Sequence, residues 1–417
     1  ILSEEDFFNV PSISFFKLRT SYGILGEALG QGFYPGYDRI DVKNLNDQVA
    51  TVFISKGNAD LTWEAGKQFN LGVDMESSFA NATIDFYSKN RDDMVFTRNV
   101  GTSLGYRSIL VNDGSLKNWG IEFTVDKDIV NTDDFNLNLR VLGSIEKNEL
   151  TELPFDPAAG RRKYFESNGF YGLGKGKSTY EFYMREYAGV NPDNGYAQWF
   201  RNYDDKNSNG SWDSGEEIED LFIYTSENPN ANIQEDKVEK YVDATKRFTG
   251  KTAIPDMYGS ITLSASYKAF DMRAIFSYGL GGYAYDSAYR DFMDNESAGN
   301  TQQLHTDIEN RWKQAGDVTD VPILNSNLQV NQASTSTRFL IEADYLNFSN
   351  IQVGYTLPDS LIQKINASNI RIYFTGDNLM ILSKRDGFNP GYSLSGNTAR
   401  YTYEPMTTFT AGLTLNF

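Results

Sequence analysis

The residues whose order carries the most chemistry are the twelve from Asp205 to Glu216. Numbered as a calcium loop, they place Asp205, Asn207, Asn209, the Ser211 carbonyl, Asp213 and Glu216 at positions 1, 3, 5, 7, 9 and 12, with Gly210 at position 6. Calcium takes six to eight hard oxygens, needs a sharp turn that glycine makes cheaply, and is closed in by a bidentate carboxylate at the last position. Asn at positions 3 and 5 lowers the charge of the cage, so a modest affinity and a structural role in ordering a loop are expected. The alternative is a solvated turn, which Asn, Gly and Ser also build. Residues 204–240 around it hold eleven acids against Lys206, Lys237 and Lys240. Such an excess provides a calcium-rich outer face, an electrostatic contact with a partner, or plain solvation and resistance to aggregation.

Other chemistry is scarce. The 417 residues include no cysteine and one histidine, which removes thiol nucleophiles and Cys/His zinc sites and leaves catalytic Ser-His arrangements only around His305. His305 lies in a polar stretch and reads as a solvated loop residue. The glycine-rich pieces at 172–177 and 279–285 have neither dinucleotide-binding nor P-loop spacing. No signal marks a carboxylate pair for glycoside hydrolysis, so no enzymatic activity is expected. With 38 Lys and Arg against 56 Asp and Glu, the formal net charge is −18, which excludes a general nucleic-acid binder.

The elements that would position these residues follow a period of two. At the end of the chain Phe409, Ala411, Leu413, Leu415 and Phe417 share one face, and Thr408, Thr410, Gly412, Thr414 and Asn416 the other. The split recurs in Ile121, Phe123 and Val125, in Phe135, Leu137, Leu139 and Val141, in Ile261, Leu263, Ala265 and Tyr267, and in Ile370, Ile372 and Phe374. A soluble sandwich and a transmembrane barrel both produce this alternation. Three features favour the barrel: strands of about ten residues, aromatics near strand ends (Trp63, Tyr87, Trp119, Tyr267, Tyr278, Tyr345, Tyr355, Tyr373), and polar faces of Ser, Thr, Asn and Gly. The connections agree, with tight turns at 131–134 and 268–271 against long loops at 26–60, 147–177, 203–255, 284–340 and 383–405. The period gives about thirteen strands. The 28 Phe, 26 Tyr and 5 Trp, set against a mean hydropathy of −0.48, fit a barrel with a wet lumen. ILSEEDFFNV at the start has no basic and no apolar region, so it reads as neither signal peptide nor anchor.

Several strings resemble the C-terminal part of a SusC/RagA-type TonB-dependent outer-membrane transporter. They include KLRTSYGILG at 17–26, LTWEAGKQFNLGVDMES at 61–77, ATIDFYSKNRDDMVF at 82–96, NDGSLKNWGIEFTVD at 112–126, EYAGVNPDNGYAQWF at 186–200 and IPDMYGSITLSASYKAFDMRAIFSYGLGG at 254–282. RWKQAGDVTDVP at 311–322, TRFLIEADYLNFSNIQVGYTLP at 337–358, NIRIYFTGDNLMILSKRDGFNPG at 369–391 and the closing strand follow in family order. The resemblance implies an all-β fold: residues 1–417 as the later portion of one large antiparallel transmembrane β-barrel with long extracellular loops, 203–255 being an insertion with the calcium-type loop.

The resemblance also implies a plug, a TonB box, a signal peptide and further barrel strands outside this sequence. The implied partners are TonB, acting through the plug, a SusD-like surface lipoprotein, membrane lipid and a small nutrient, either oligosaccharide or oligopeptide. Phe409, Leu413, Leu415 and Phe417 resemble the C-terminal signal read by barrel-assembly machinery; the alternative is an ordinary edge strand ending in Phe. Trp199, Trp212, Tyr171, Tyr196 and Tyr203, all in the long loops, are expected to pack there, the alternatives being a sugar or the covering lipoprotein. The rival readings are a secreted, calcium-stabilised β protein that binds or cleaves glycans, and a passive porin.

Overall fold

A computed structural model describes the chain except for residues 29–33, 35, 107, 158, 295–302, 325–330, 363–366, 394–395, 397–402, 404 and 417. Ten strands form one antiparallel sheet, each hydrogen-bonded to the next along the chain. They are β1 (Ile13–Glu27), β2 (Glu64–Ser77), β3 (Asn81–Asp92), β4 (Ser115–Asn131), β5 (Phe135–Glu152), β6 (Met257–Tyr267), β7 (Phe270–Leu280), β8 (Tyr345–Thr356), β9 (Asn369–Ser383) and β10 (Thr408–Asn416). Among the described residues no helix is long and apolar enough to cross a membrane.

The strand registers align the alternation across the whole sheet. Leu71 faces Phe86 and Phe86 faces Ile121; Val141 faces Ile261 and Ile261 faces Phe276; Ile372 faces Leu413. One face is therefore apolar from edge to edge. Its side chains are left uncovered by the protein: Phe409 is 62% exposed, Leu413 57% and Ile372 51%. Leaving so many apolar side chains in water would cost about 25 cal/mol per Å² of their surface, so this face requires an apolar solvent.

The connections are sorted by length as well as by side. Residues 78–80, 132–134 and 268–269 turn tightly at one end of the sheet, where 357–368 also passes from β8 to β9. At the other end the chain runs through 28–63, 93–114, 153–256, 281–344 and 384–407. The sequence-based count of about thirteen strands exceeds the ten of the sheet, and the loops expected at 147–177 and 203–255 belong to one connection, 153–256. Further strands lie in the long connections, several of them inside 153–256. Glu181–Arg185 pairs with Lys246–Thr252, and Ala197–Asp204 lies between Tyr187–Val190 and Ile233–Val238. Buried loop strands carry the same β-formers as membrane strands, so period alone cannot separate them.

The first hydrophobic core cluster sits in this cap. Phe182, Met184, Ala253, Tyr285, Met293, Val321 and Phe339 pack together where the 153–256 and 281–344 connections meet. A smaller cluster joins Ala197, Trp199 and Ala244. In contrast, the hairpin Arg39–Leu45 with Gln48–Ser55, which follows β1, leaves Ile40, Val42, Val49 and Phe53 exposed.

Candidate functional site

The polar face of the sheet is built from charges that clasp neighbouring strands. Arg19 on β1 reaches Asp74 on β2 (Nε–Oδ2 2.7 Å) and Asp85 on β3 (Nη1–Oδ1 2.9 Å). It crosses β2 at Gly72, where a β-carbon would lie 2.6 Å from the Arg19 guanidinium carbon and 2.3 Å from Asp85 Oδ1. The device recurs on the far side of the sheet. Arg371 on β9 reaches over β8 to Asp271 on β7 (Nε–Oδ1 3.0 Å), above Gly354, whose β-carbon would lie 2.3 Å from Arg371 Nη2. Arg91 joins Glu27 and Glu64, and Arg140 joins Asp126 at 2.7 Å. The half-exposed polar face carries both signs of charge and is suited to a wet interior. Sequence reasoning passed over these clasps; the signal was a glycine at a polar-face position in mid-strand.

Aromatics mark two levels on the apolar face. Phe135, Tyr267, Phe270 and Tyr355 stand side by side on four successive strands, next to the tight turns. Toward the long loops, Tyr278 lies opposite Gly259 and donates to the Leu142 carbonyl at 3.1 Å. Gly259 and Tyr267 are eight residues apart on β6, about 27 Å along a strand. Reduced by strand tilt, that is comparable with the apolar band of roughly 25 Å in outer-membrane barrels. Of the eight aromatics singled out near strand ends, Trp119, Tyr267, Tyr278 and Tyr355 stand on this face, and Trp63 packs beside it on Gly26. By register Tyr87, Tyr345 and Tyr373 stand on the polar face.

The closing strand is placed as its alternation required. Phe409, Leu413 and Leu415 lie on the apolar face of β10, opposite Gly376, Ile372 and Ile370. Phe417 lies outside the described residues.

The Asp205–Glu216 loop projects from the end of the cap strand Ala197–Asp204. Its ends meet: the Asp204 amide donates to the Glu216 carbonyl at 3.1 Å, and Tyr203 bridges Glu217. Asp205 (3% exposed) and Glu216 (5%) are buried and accept the loop's own amides. Asn209 and Gly210 donate to Asp205 at 3.0 and 2.9 Å, and Lys206 and Asp213 donate to Glu216 at 3.1 and 3.0 Å. Asn207 Oδ1 accepts the Asn209 amide, Asn209 Oδ1 accepts the Ser211 amide, and both side-chain amides donate to Asp213. Gly210 takes the expected positive φ of 75°. The donor set is oxygen throughout, which suits a hard cation. Among the described residues no three Asp, Glu, His or Cys side chains are gathered as a metal-binding group, so Asn and carbonyl oxygens would have to complete a cage.

Two adjoining clefts open in the cap. One of about 740 Å³ is lined by Tyr196, Gln198, Lys237, Lys240 and Tyr241 among others. One of about 390 Å³ also has Tyr241 in its wall, beside Phe170, Tyr183, Arg185 and Lys246. Burial pushes the Tyr183 hydroxyl well above its ordinary range, and its bond to Asp220 adds to this. Of the five loop aromatics, Trp199 and Tyr203 are buried and Tyr171 is packed against Phe182, while Tyr196 is half-buried and Trp212 lies against Arg201. His305 caps a short helical turn by accepting the Asp307 amide.

An antiparallel meander with one uncovered apolar face, aromatics at two levels, a charged opposite face and long loops at one end defines part of an outer-membrane β-barrel. The relatives of the chain are more particular. No family model matches it. A TonB-dependent receptor of Formosa agariphila is 26% identical across 97% of this chain and 40% of its own length. The TonB-dependent receptor SusC of Bacteroides thetaiotaomicron is 26% identical across 100% of the chain and 39% of its own length. The RagAB peptide importer in its "open-open" state superposes with a TM-score of 0.81 at 25% identity, covering 100% of this chain and 42% of that one. The RagAB peptide transporter gives 0.79, also at 25%. The resemblance to the C-terminal part of a SusC/RagA-type TonB-dependent outer-membrane transporter therefore holds in sequence and in fold along the whole chain. The chain spans about two-fifths of the length of these relatives.

Proposed function

We propose that this chain is the later part of the barrel of an active importer, which takes up an oligosaccharide or oligopeptide across the Gram-negative outer membrane with energy delivered by TonB. The observation that carries this reading is the open sheet. β1 and β10 are its first and last strands and, among the described residues, pair with one neighbour each. An unpaired edge in lipid leaves backbone groups without partners, each costing several kcal/mol. Strands from the remaining N-terminal portion would close the barrel between β10 and β1, and the exposed hairpin after β1 would then meet the loops of those strands. A plug in that portion would contact TonB. A SusD-like lipoprotein would cover the cap, and the polar wall with its clasps would line the route. The chain itself would bind and conduct the nutrient and perform no covalent chemistry.

The chain lacks cysteine, so a single cysteine placed at Ile121 or Leu413 reports its surroundings cleanly. In the protein extracted from outer membranes, a lipid-phase probe should label both positions, and the intact mass should exceed 47.1 kDa by several hundred residues, or a second chain bearing them should co-purify. A soluble 47.1 kDa monomer with both positions protected would favour the secreted, calcium-stabilised β protein instead. Conductance without TonB would favour a passive porin.

Calcium at the Asp205–Glu216 loop belongs to the same proposal, in a structural role. The filled spacing and the oxygen-only donor set support it. Asp205, Asn207, Asn209, Asp213, Glu216 and the Ser211 carbonyl would hold the ion. Trp212 stands inside the loop, so terbium bound there should be sensitised by excitation of that ring. Glu216→Gln should abolish the signal, and calcium should compete it away. Unchanged emission in that variant would leave a solvated turn.

A further inference from the structure

In a chain with a marked excess of acids, cations without acid partners are informative, and four of them surround one tyrosine. Arg185 is 9% exposed, stacked on Tyr241 (4.5 Å from the guanidinium carbon to the ring centre), with Nε on the Ala244 carbonyl at 2.9 Å. Lys246 stands exposed at the rim of the same 390 Å³ cleft. Lys237 and Lys240 stand exposed on the 740 Å³ cleft, which Tyr241 also lines; Lys237 donates to the Ala188 carbonyl and lies 5.9 Å from the Phe200 ring centre. None of the four makes an ion pair among the described residues, whereas Lys177, Arg201 and Arg247 in the same cap are all paired.

No carboxylate nearby forms an ion pair with them among the described residues. Glu239 is held by the side-chain amides of Asn191 and Asn194 at 2.6 and 3.0 Å. Asp220 caps the helix Leu221–Glu227 and meets the Tyr183 hydroxyl. Asp243 is exposed at the edge of the larger cleft. A guanidinium nine-tenths buried without a carboxylate is costly. The carbonyls of the 242–244 segment satisfy only part of its five donors.

Resting on the import reading, we infer that these two clefts, which share Tyr241, together bind an acidic oligomer, a short chain bearing carboxylate or sulfate groups. One acid group lies at Arg185 and Lys246, and another lies at Lys237 and Lys240. Tyr196 and Tyr241 line the stretch between them. The planar guanidinium fork matches a carboxylate or sulfate in two-point contact. The flexible lysines at the rims draw the acid groups in and exclude neutral chains of the same size.

The test uses the complete transporter purified in detergent, with calorimetric titration at low and high salt. Its probes are an oligogalacturonate and its methyl ester, and a pentaglutamate peptide and its pentaglutamine counterpart. The acidic member of at least one pair should bind about tenfold tighter than the neutral one, and which pair does so separates a glycan source from a peptide source. Lys240→Gln with Lys246→Gln, both at exposed positions, should remove about tenfold of that affinity and most of its salt dependence while leaving the neutral ligand unaffected. Arg185→Lys should weaken binding of the acidic ligand with the fold intact by circular dichroism. Equal binding of acidic and neutral forms, or wild-type affinity in the double variant, overturns the inference. TonB-dependent uptake of a neutral oligomer, with no preference for acid, would leave the import reading standing while this inference fails. Tight acidic binding without any TonB-dependent uptake would do the reverse.

Discussion

Leu263 and Ser260 lie three residues apart on β6 and, by register, on opposite faces of the sheet. Leu263 stands opposite Leu139 on β5 and Ala274 on β7, in the middle of the apolar face and between the two aromatic levels. Ser260 stands opposite Leu142 and Ser277 on the polar face. Arginine on the lipid face near the bilayer midplane costs about 2–4 kcal/mol, which is about 30-fold to 1,000-fold in the folding equilibrium. On a wet lumen face the same substitution costs within about 0.5 kcal/mol, as at an ordinary surface. Leu263→Arg should therefore lower the stability of the complete protein refolded into phospholipid vesicles by about 2–4 kcal/mol, whereas Ser260→Arg should leave it nearly unchanged. Guanidinium titration followed by tryptophan fluorescence, with heat-modifiable gel mobility as a second readout, measures both. If Ser260→Arg is as harmful as Leu263→Arg, or if Leu263→Arg is neutral, the assignment of faces to lipid and lumen is wrong.

A glycine beneath a clasp and one in open space make a second contrast. Gly354→Val should cost about 1–3 kcal/mol by pushing Arg371 off Asp271. Gly23→Ala, with nothing within 4 Å of the added carbon, should change stability by no more than about 1 kcal/mol, in the stabilising direction; the same titration checks both. The Asp113 carboxyl, at the base of the cap, gives a pH effect. Burial pushes it up, but the Phe155 amide, Arg98 and Arg162 override this and hold it below its ordinary 3.8. A depressed carboxylate stabilises the fold above that ordinary value, and the contribution is lost as pH falls through the lower folded value. Hydrogen exchange of residues 94–98 and 155–162 should accelerate at pH 3 relative to pH 5, after correction for intrinsic rate, and Asp113→Asn should remove the difference.

What the sequence determined by itself was local. The period of two in 408–416 and 260–267 settled strands and faces, because side chains on a strand alternate without regard to what lies beyond it. Gly210 and the oxygen-bearing residues about it settled a tight loop, because Asn, Asp and Gly turn the chain through their own backbone bonds. Tertiary structure decided which strands shared a sheet. Glu181–Arg185 and Ala197–Asp204 have the composition of barrel strands yet belong to the cap, since partners arriving from far along the chain fix pairing. It also decided the clasps, because Arg371 meets Asp271 only when β8 lies between them with a glycine at the crossing. The core in the cap was equally hidden, since Phe182 and Tyr285 are brought together by two separate loops. The open edges at β1 and β10 could be recognised only once every other strand had found its two neighbours.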